Sequence, residues 1–277
     1  MNPIEEEKPH PIFIAQTTQM QHIRILINAI KDILTDIPII CSKHGLKITN
    51  TDKSHTILVN VDLNNFDEIV CIPDKIIICT RSFHLANLIG MSSNDDIFSM
   101  YIDSSDYNDG IVSHLGLQYD NGSIGQRYNL KLRLIKSDLE EMIIPNVDYS
   151  AVIHFPSNDL TTIIRNLEKI SNHSNRERIE IKLVGGELIF ISRGSFSDAV
   201  IKRTESEKKL RFVKKPKEGE VIQGFFSIRS LKTLIKCTTL CPHVEIKFSN
   251  NLPLTLKYSV SSLGHLSLII PCLDNFD

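Results

Sequence analysis

The sequence predicts an α+β protein built from two domains of similar architecture. Its 277 residues exceed the usual size of a single domain, about 100–200 residues. Helical and strand periodicities follow the same order in both halves: strand, helix, strands, short helix, strands. An acidic stretch that carries three apolar residues and a proline separates the halves. We therefore expect an N-terminal domain over residues 1–135, a connector over 136–149 and a C-terminal domain over 150–277.

The first half combines one long helix with strands and one short helix. Apolar residues recur with helical spacing over residues 18–34. Residues 37–63 read as strands that are broken at His44–Gly45 and at Asp52–Ser54. A short helix is predicted at about 82–91. Three further strands follow, separated by the turn-forming clusters SSDYNDG and NGSIG.

The second half repeats this order. The strand AVIHFP leads to Ser157, a residue type that favours the N-cap position, and then to a helix over 158–171. The segment IEIKLVGGELIFIS predicts a hairpin, because paired glycines suit a primed turn. The strand GFFSI precedes a helix over 228–238, and two or more strands close the chain.

The composition excludes several classes of protein. The net charge is −2, so the chain as a whole is not a basic nucleic-acid binder, and charged residues at 23% are ordinary for a globular protein. No apolar run approaches the roughly 20 residues of a membrane span. The acidic N-terminus lacks the apolar region of a secretory signal. Motifs of nucleotide-binding loops, zinc proteases and serine hydrolases do not occur. We expect neither an enzyme nor a cofactor.

The cysteines and acidic clusters give no strong metal signal. Six cysteines without paired spacing indicate reduced thiols in an intracellular compartment. Cys237, Cys241 and His243 could form half a metal site, but a structural zinc site needs four ligands. The acidic cluster over 103–109 does not have the spacing of a calcium loop, and a hairpin turn is the preferred interpretation. We therefore predict no metal site.

Cationic residues recur on the polar faces of three of the four predicted helices. A basic helix face is often only a solvated face. Three such faces in a chain of net negative charge nevertheless indicate that positive charge is segregated to the helices. The second predicted helix departs from the pattern, with His84 and Asn87 on its polar face. The cationic residues that share helical spacing are Arg24, Lys31, Arg165, Lys169, Arg229, Lys232 and Lys236.

This segregated charge favours contact with a phosphate backbone. Aromatic residues make up only 6% of the chain, Trp is absent, and no basic stretch is interleaved with aromatic residues. The sequence therefore predicts no platform on which single-stranded bases would stack. Recognition of phosphates without reading of bases fits the pattern better.

Five segments resemble the proliferating cell nuclear antigen family of DNA sliding clamps, in order and over nearly the full chain. ILINAIKDIL and TDKSHTILVNVDL are similar to the family's first helix and its D-x-S-H-V strand. LEEMIIPNVDYS resembles the interdomain connector, L-x-x-L-x-I-P-x-x-x-Y. FPSNDLTTIIRNLEKIS and LPLTLKYSVSSLGHLSLIIP resemble the helix of the second domain and the terminal segment. Five matches in the right order and spacing make the resemblance specific.

The resemblance implies a DNA-clamp fold with two topologically similar domains, each with antiparallel sheets and two inner helices. Three chains would form a head-to-tail ring of pseudo-six-fold symmetry, and the seven cationic residues would face double-stranded DNA. An ATP-driven clamp loader would place the ring on DNA. The ring would close through edge strands near residues 128–134 and 196–202. The interface residues implied are Tyr128, Leu130, Leu132, Phe196, Ala199 and Ile201.

The resemblance also gives the apolar residues of the connector a role. They would receive short PIP-type peptides from DNA polymerase, the clamp loader and other replication and repair proteins; the alternative is that they pack onto their own domain. Thr51 and Thr56 stand where the family usually has apolar residues, so the pocket is expected to be more polar or smaller. The pocket residues implied are Met142, Ile144, Pro145, Pro253, Ile269, Pro271, Thr51 and Thr56.

Residues 202–220 depart from the family, because this loop is much more basic than its counterpart. The simplest interpretation is a solvated loop. The hypothesis beside it is that Lys208, Lys209, Lys214 and Lys215 contact DNA or act as a nuclear address.

Two other functions stay open beside the sliding clamp. The chain could be a monomeric or dimeric processivity subunit that holds DNA on one basic face, with a salt slope of about −0.9 per phosphate contact. It could also be an interaction scaffold of the same fold that does not bind DNA. A sliding clamp would act in the nucleus or another intracellular site of DNA replication, such as a viral replication compartment.

Overall fold

The computed structural model describes residues 10–136, 141–171, 177–206 and 209–273. The first half contains eleven strands and two helices, in the order predicted from the sequence. A short 3₁₀ turn covers Ser104–Asp106. The elements are β1 (Pro11–Thr17), α1 (Met20–Ile30), β2 (Asp36–Ser42), β3 (Gly45–Thr51), β4 (Leu58–Leu63), β5 (Glu68–Cys71), β6 (Lys75–Arg81), α2 (Ser82–Ile89), β7 (Ile97–Asp103), β8 (Tyr107–Asn108), β9 (Ile111–Val112), β10 (His114–Asn121) and β11 (Gln126–Arg133).

The second half repeats the pattern with nine strands and two α-helices among its described residues. The predicted hairpin is confirmed, because Gly185 and Gly186 form its turn with φ of +57° and +79°. The elements are β12 (Ala151–Pro156), α3 (Ser157–Ser171), β13 (Arg178–Val184), β14 (Glu187–Arg193), β15 (Asp198–Thr204), β16 (Arg211–Lys214), β17 (Ile222–Ser227), α4 (Ile228–Leu234), β18 (His243–Phe248), β19 (Leu254–Val260) and β20 (Gly264–Ile270).

Three helix predictions are corrected at their ends. The first helix is shorter than the predicted 18–34, because the backbone tightens into a turn after Ile30 before it enters β2. Ser157 is the first residue of α3 rather than the residue before it. The fourth helix is α-helical only to Leu234, and residues Ile235–Thr239 continue it as a 3₁₀ helix.

Apart from the two-stranded sheet β8-β9 of the first half, each half is built from two antiparallel sheets in the same strand order. In the first half these are β11-β10-β7-β1-β5 and β4-β3-β2-β6, and in the second half β20-β19-β18-β12-β16 and β15-β14-β13-β17. The strands β20 and β4 pair, so that two of the four sheets merge into one sheet of nine strands that crosses the domain boundary. The internal duplication inferred from the sequence is thus visible in the topology.

The pairing of β20 with β4 is a close backbone contact. It runs from the Cα pair Ile269 and Leu58 to the pair Gly264 and Leu63. Gly264 has a φ of +155°, and a Cβ atom there would lie 2.0 Å from the carbonyl oxygen of Asp62. Only glycine can therefore occupy this end of the junction.

The helices cover one face of the sheets and close the hydrophobic core. The apolar stripe of α1 is buried from Met20 to Ile30, and that of α3 from Leu160 to Leu167. Both stripes follow helical spacing, which leaves the opposite faces to polar residues. This division of faces leaves Lys31, Arg165 and Lys169 exposed on the polar faces of their helices.

Candidate nucleic-acid interface and partner surfaces

The four helices form one continuous layer across both domains. Helix α2 contacts α1, and α1 contacts the 3₁₀ helix Ile235–Thr239 of the second domain. That 3₁₀ helix contacts α3 and follows α4 directly. The cationic residues predicted on separate helices are thereby brought onto one surface, which we call the helix layer.

Three of the seven predicted residues present charge without an acidic partner. Lys31, Arg165 and Lys169 are exposed. The ammonium group of Lys31 donates to the neutral Oδ1 of Asn28 at 2.8 Å. Within the described part of the chain, Arg165 and Lys169 form no ion pair. These side chains are free to approach an external anion.

Three others are held in ion pairs on the same layer. Arg229 binds the carboxylate of Glu177, and the pairing raises the pKa of its guanidinium through the hydrogen bond and the opposite charge. Lys232 binds Glu168, and Lys236 binds Asp32 at 3.2 Å. Helical spacing identified the cations but not these carboxylates, so the net charge of the layer is smaller than the sequence implied.

Arg24 has a different environment from the other six. Its guanidinium donates to the carbonyl oxygen of Ser92, beyond the end of α2, at 2.8 Å, and its Nε atom is buried. This hydrogen bond connects α1 to the segment that follows α2. The position of Arg24 on the predicted polar face is not enough to make it available to a ligand.

Helix α2 presents an exposed aromatic residue beside the uncharged polar face that the sequence predicts for it. His84 and Asn87 are exposed as predicted, and the neighbouring Phe83 is 64% exposed. The rings of Phe83 and His84 meet edge to face, with centroids 6.2 Å apart. A signal for this exposure is present in the sequence, because Phe83 precedes the apolar stripe of α2 and falls outside its spacing.

A row of side chains crosses four strands of the nine-stranded sheet. Cα partners link Thr51 to Leu58, Leu58 to Ile269, and Ile269 to Thr255. Residues paired in this way point to the same face of a sheet. Tyr149, at the end of the connector, shares a hydrogen bond of 2.9 Å between its hydroxyl and that of Thr255. The row therefore joins the connector to predicted pocket residues, and it adds Leu58, Thr255 and Tyr149, which sequence patterns did not identify.

The loop between β3 and β4 is fixed by one carboxylate. Asp52 accepts the N–H groups of Thr56 and Ile57, both at 2.7 Å, and the hydroxyl of Ser54. Partial burial acts to raise the pKa of Asp52, but these hydrogen bonds hold it below its usual value. Thr56 is exposed and faces the loop, whereas the Thr51 hydroxyl lies 2.9 Å from Nδ1 of His55. The loop is consequently polar, and whether the neighbouring pocket is more polar or smaller stays a prediction.

The connector exposes part of its apolar stretch. Ile143 is 86% and Met142 44% exposed, Pro145 is exposed, and Ile144 is half-buried. Pro253 and Ile269 are half-buried and Pro271 is exposed. Ile144 thus packs partly onto the protein while its neighbours face solvent, and a role for these residues in peptide binding stays a prediction.

Ion pairs hold the connector at both ends. Glu141 binds Lys75 of the first domain at 2.9 Å, and Asp148 binds Lys214 of the second domain at 2.6 Å. The hydrogen bond from Lys75 lowers the pKa of Glu141.

The positive charge of the basic segment 202–220 is partly neutralised within the segment, because Lys215 pairs with Glu205 at 2.7 Å. Lys209 is exposed, and Lys208 lies outside the described residues.

Two sheet edges carry the predicted subunit-interface residues. Strand β11 is one edge of the five-stranded sheet, and β15 is one edge of the four-stranded sheet. On β11, Tyr128 and Leu130 are half-buried and Leu132 is buried. The remaining predicted residues lie on or just before β15: Ala199 and Ile201 are half-buried and Phe196 is 67% exposed.

Comparison with known families identifies the architecture. The family model of the proliferating cell nuclear antigen N-terminal domain matches residues 12–141, and that of its C-terminal domain matches residues 143–273. The chain belongs to the proliferating cell nuclear antigen family. The crystal structure of proliferating cellular nuclear antigen from Entamoeba histolytica superposes with a TM-score of 0.81 at 16% identity, covering 95% of this chain and 100% of that one. The predicted α+β clamp fold is confirmed.

Membership of the proliferating cell nuclear antigen family also fixes the general class of the protein. Clamps of this family are non-enzymatic scaffolds that act at sites of DNA replication, so the protein is not an enzyme. Within the described ranges, no three His, Cys, Asp or Glu side chains are grouped so that they could hold a metal ion. No helix in those ranges is long and apolar enough to cross a membrane.

Proposed function

We propose that the protein is a DNA sliding clamp, a homotrimeric ring that encircles duplex DNA without reading its sequence. As such it serves as a processivity factor, tethering DNA polymerase, the clamp loader and other replication and repair proteins through short PIP-type peptides.

The pairing of β20 with β4 is the main observation that supports a closed ring of three chains. In the duplicated strand order, β11 occupies in the first domain the place that β20 occupies in the second. Strand β15 likewise occupies in the second domain the place of β4. Pairing of β11 in one chain with β15 in the next would therefore repeat between chains a junction that already exists within the chain. It would also pair two sheet edges that a free chain leaves open.

The helix layer supports a role in binding duplex DNA. Lys31, Arg165 and Lys169 offer unpaired positive charge on a surface where Lys232 and Lys236 are held in ion pairs. Contacts of this kind attract phosphates and do not distinguish bases. A surface of modest net charge suits a clamp that must move along DNA.

The connector and the neighbouring row support peptide binding. Exposed Met142 and half-buried Ile144 lie in a segment whose end, Tyr149, is hydrogen-bonded to Thr255 in the row that includes Ile269. An apolar or aromatic side chain of a partner would bury against such a strip. A small central anchor of this kind usually supplies most of the free energy of an interface.

Light scattering coupled to size exclusion tests the ring directly. The expected mass is three times the 31.4 kDa of the chain. Leu130→Asp on β11 should give monomers, because the charge would be buried in the interface. Val70→Asp is the matched control, since Val70 is 43% exposed on β5, the opposite edge of the same sheet. A monomeric wild-type protein would contradict the proposal.

Retention on DNA separates encirclement from electrostatic binding. Protein is allowed to thread onto linear duplex that is attached to a bead at one end, and the free end is then blocked with streptavidin. A ring stays bound in high salt and leaves when a restriction enzyme cuts the duplex. A protein that holds DNA on one basic face leaves in high salt whether or not the end is blocked.

A further inference from the structure

Phe83 lines a groove beside the helix layer. The groove has a volume of about 640 Å³ and separates the start of α2 from the end of α1 and from the β3–β4 loop. Thr233 of α4 closes it on the side of the second domain. The lining residues that decide its charge and chemistry are Lys31, Asp32, Asp52, Lys53, Arg81 and Phe83.

The net free charge in the groove is positive, because Lys31 and Lys53 outnumber one unpaired carboxylate, Asp52. The ammonium group of Lys31 donates to the neutral Asn28 amide and, like that of exposed Lys53, forms no ion pair in the described residues. Of the two carboxylates of the lining, Asp32 is neutralised by an ion pair, whereas Asp52 keeps its negative charge. Asp32 pairs with Lys236, and the oxygens of Asp52 accept the N–H and hydroxyl groups of its own loop. Arg81 is paired with Asp36 at 3.2 Å, so it adds no free charge.

The aromatic ring and the free ammonium groups are suited to different parts of a nucleotide. The face of an exposed Phe ring stacks on a base of any sequence, and nearby ammonium groups neutralise the phosphates on either side. Bases of an intact duplex are already stacked and are not available to Phe83. A single strand offers both its bases and its phosphates.

We propose that this groove binds single-stranded DNA where it leaves the duplex, with one base stacked on Phe83 and the adjacent phosphates on Lys31 and Lys53. The inference rests on the proposed function, because the groove continues the helix layer that would face duplex DNA. It adds an interaction that the duplex-binding cations do not provide. A partner peptide is disfavoured as the occupant, because the pocket proposed for peptides is lined by the connector and the sheet row rather than by Phe83.

The absence of Trp from the chain makes the proposal directly measurable. Phe83→Trp introduces a single indole at the proposed stacking position. Titration with oligothymidylate in low salt should quench its fluorescence, and a primed duplex with a single-stranded overhang should do the same. Blunt duplex of equal length should bind, as followed by anisotropy of a label on the DNA, with little quenching. Ile72→Trp is the matched control, because Ile72 is 73% exposed after β5 and outside the groove.

Removal of the Phe83 ring provides a second measurement. Phe83→Ala should weaken binding of oligothymidylate about tenfold, and Phe83→Tyr should retain it, because stacking needs an aromatic face. Binding of blunt duplex should be unchanged in both variants. Equal quenching of Phe83→Trp and Ile72→Trp, or quenching by a PIP-type peptide in place of oligothymidylate, would overturn the proposal. Failure of the wild-type protein to bind blunt duplex would instead count against the proposed function.

Discussion

The carboxylate of Asp32 at the end of α1 lies 3.2 Å from the ammonium group of Lys236, which follows it by 204 residues. This ion pair joins the helices of the two domains at the centre of the helix layer. Both side chains are about half exposed, at 50% and 48%. A pair this exposed contributes little to folding, typically below about 1 kcal/mol. Its main effect is to remove one positive charge from the surface that would meet DNA.

Asp32→Asn should therefore release Lys236 and strengthen binding of duplex DNA. We expect the dissociation constant at low salt to fall about two- to fivefold, with a steeper dependence on salt. Fluorescence anisotropy over a series of salt concentrations measures both effects. Asp109→Asn removes the same charge from the exposed turn between β8 and β9 and should leave the affinity unchanged. Equal affinity gains in the two variants would show a general effect of net charge.

The cations without acidic partners should contribute most to duplex binding. Arg165→Gln combined with Lys169→Gln should weaken binding and lower the salt slope by about 0.9 for each phosphate that the protein no longer neutralises. Lys43→Gln with Lys47→Gln removes equal charge from exposed positions outside the helices and outside the basic segment 202–220, and serves as the control. The same titration compares the two double variants. Indistinguishable slopes would mean that the helix layer does not face DNA.

The sequence was sufficient for the fold because the periodic patterns and turn signals are local. Burial of the α1 and α3 stripes and the Gly185–Gly186 turn each follow from residues close together in the chain. Helix ends were less predictable, since the turn after Ile30 depends on how the chain must enter β2. Contacts between distant segments decide such boundaries.

The candidate sites were predictable only in part for the same reason. Helical spacing identifies a polar face, but it does not reveal that Glu168 and Asp32 approach Lys232 and Lys236 from other elements. The groove beside Phe83 is assembled from both domains, so no contiguous stretch of sequence displays it. A search for basic stretches interleaved with aromatic residues could not detect it.

Arg24 should contribute to the free energy of unfolding and not to the affinity for DNA. Arg24→Met keeps the aliphatic stem and removes the donor to the Ser92 carbonyl, which is expected to cost about 1–3 kcal/mol of unfolding free energy. Chemical denaturation monitored by circular dichroism measures the change. Arg165→Met is the control, because Arg165 is exposed and has no such acceptor in the described chain. If Arg24→Met were as stable as the wild-type protein but bound duplex DNA more weakly, Arg24 would be a DNA-contacting residue after all.

The half-buried residue of the connector should matter more to a partner than the fully exposed one. Ile144→Ala should weaken binding of a PIP-type peptide by about 1–3 kcal/mol, because it removes an apolar group next to the proposed anchor position. Ile143→Ala should have a smaller effect, since an 86% exposed side chain already makes few contacts with its own domain and lies outside the predicted pocket set. Calorimetric titration of both variants with one peptide measures the difference, and light scattering should show the same trimer in each. A larger reduction in affinity for Ile143→Ala would mean that the peptide approaches the solvent-facing side of the connector and not the row that contains Ile269.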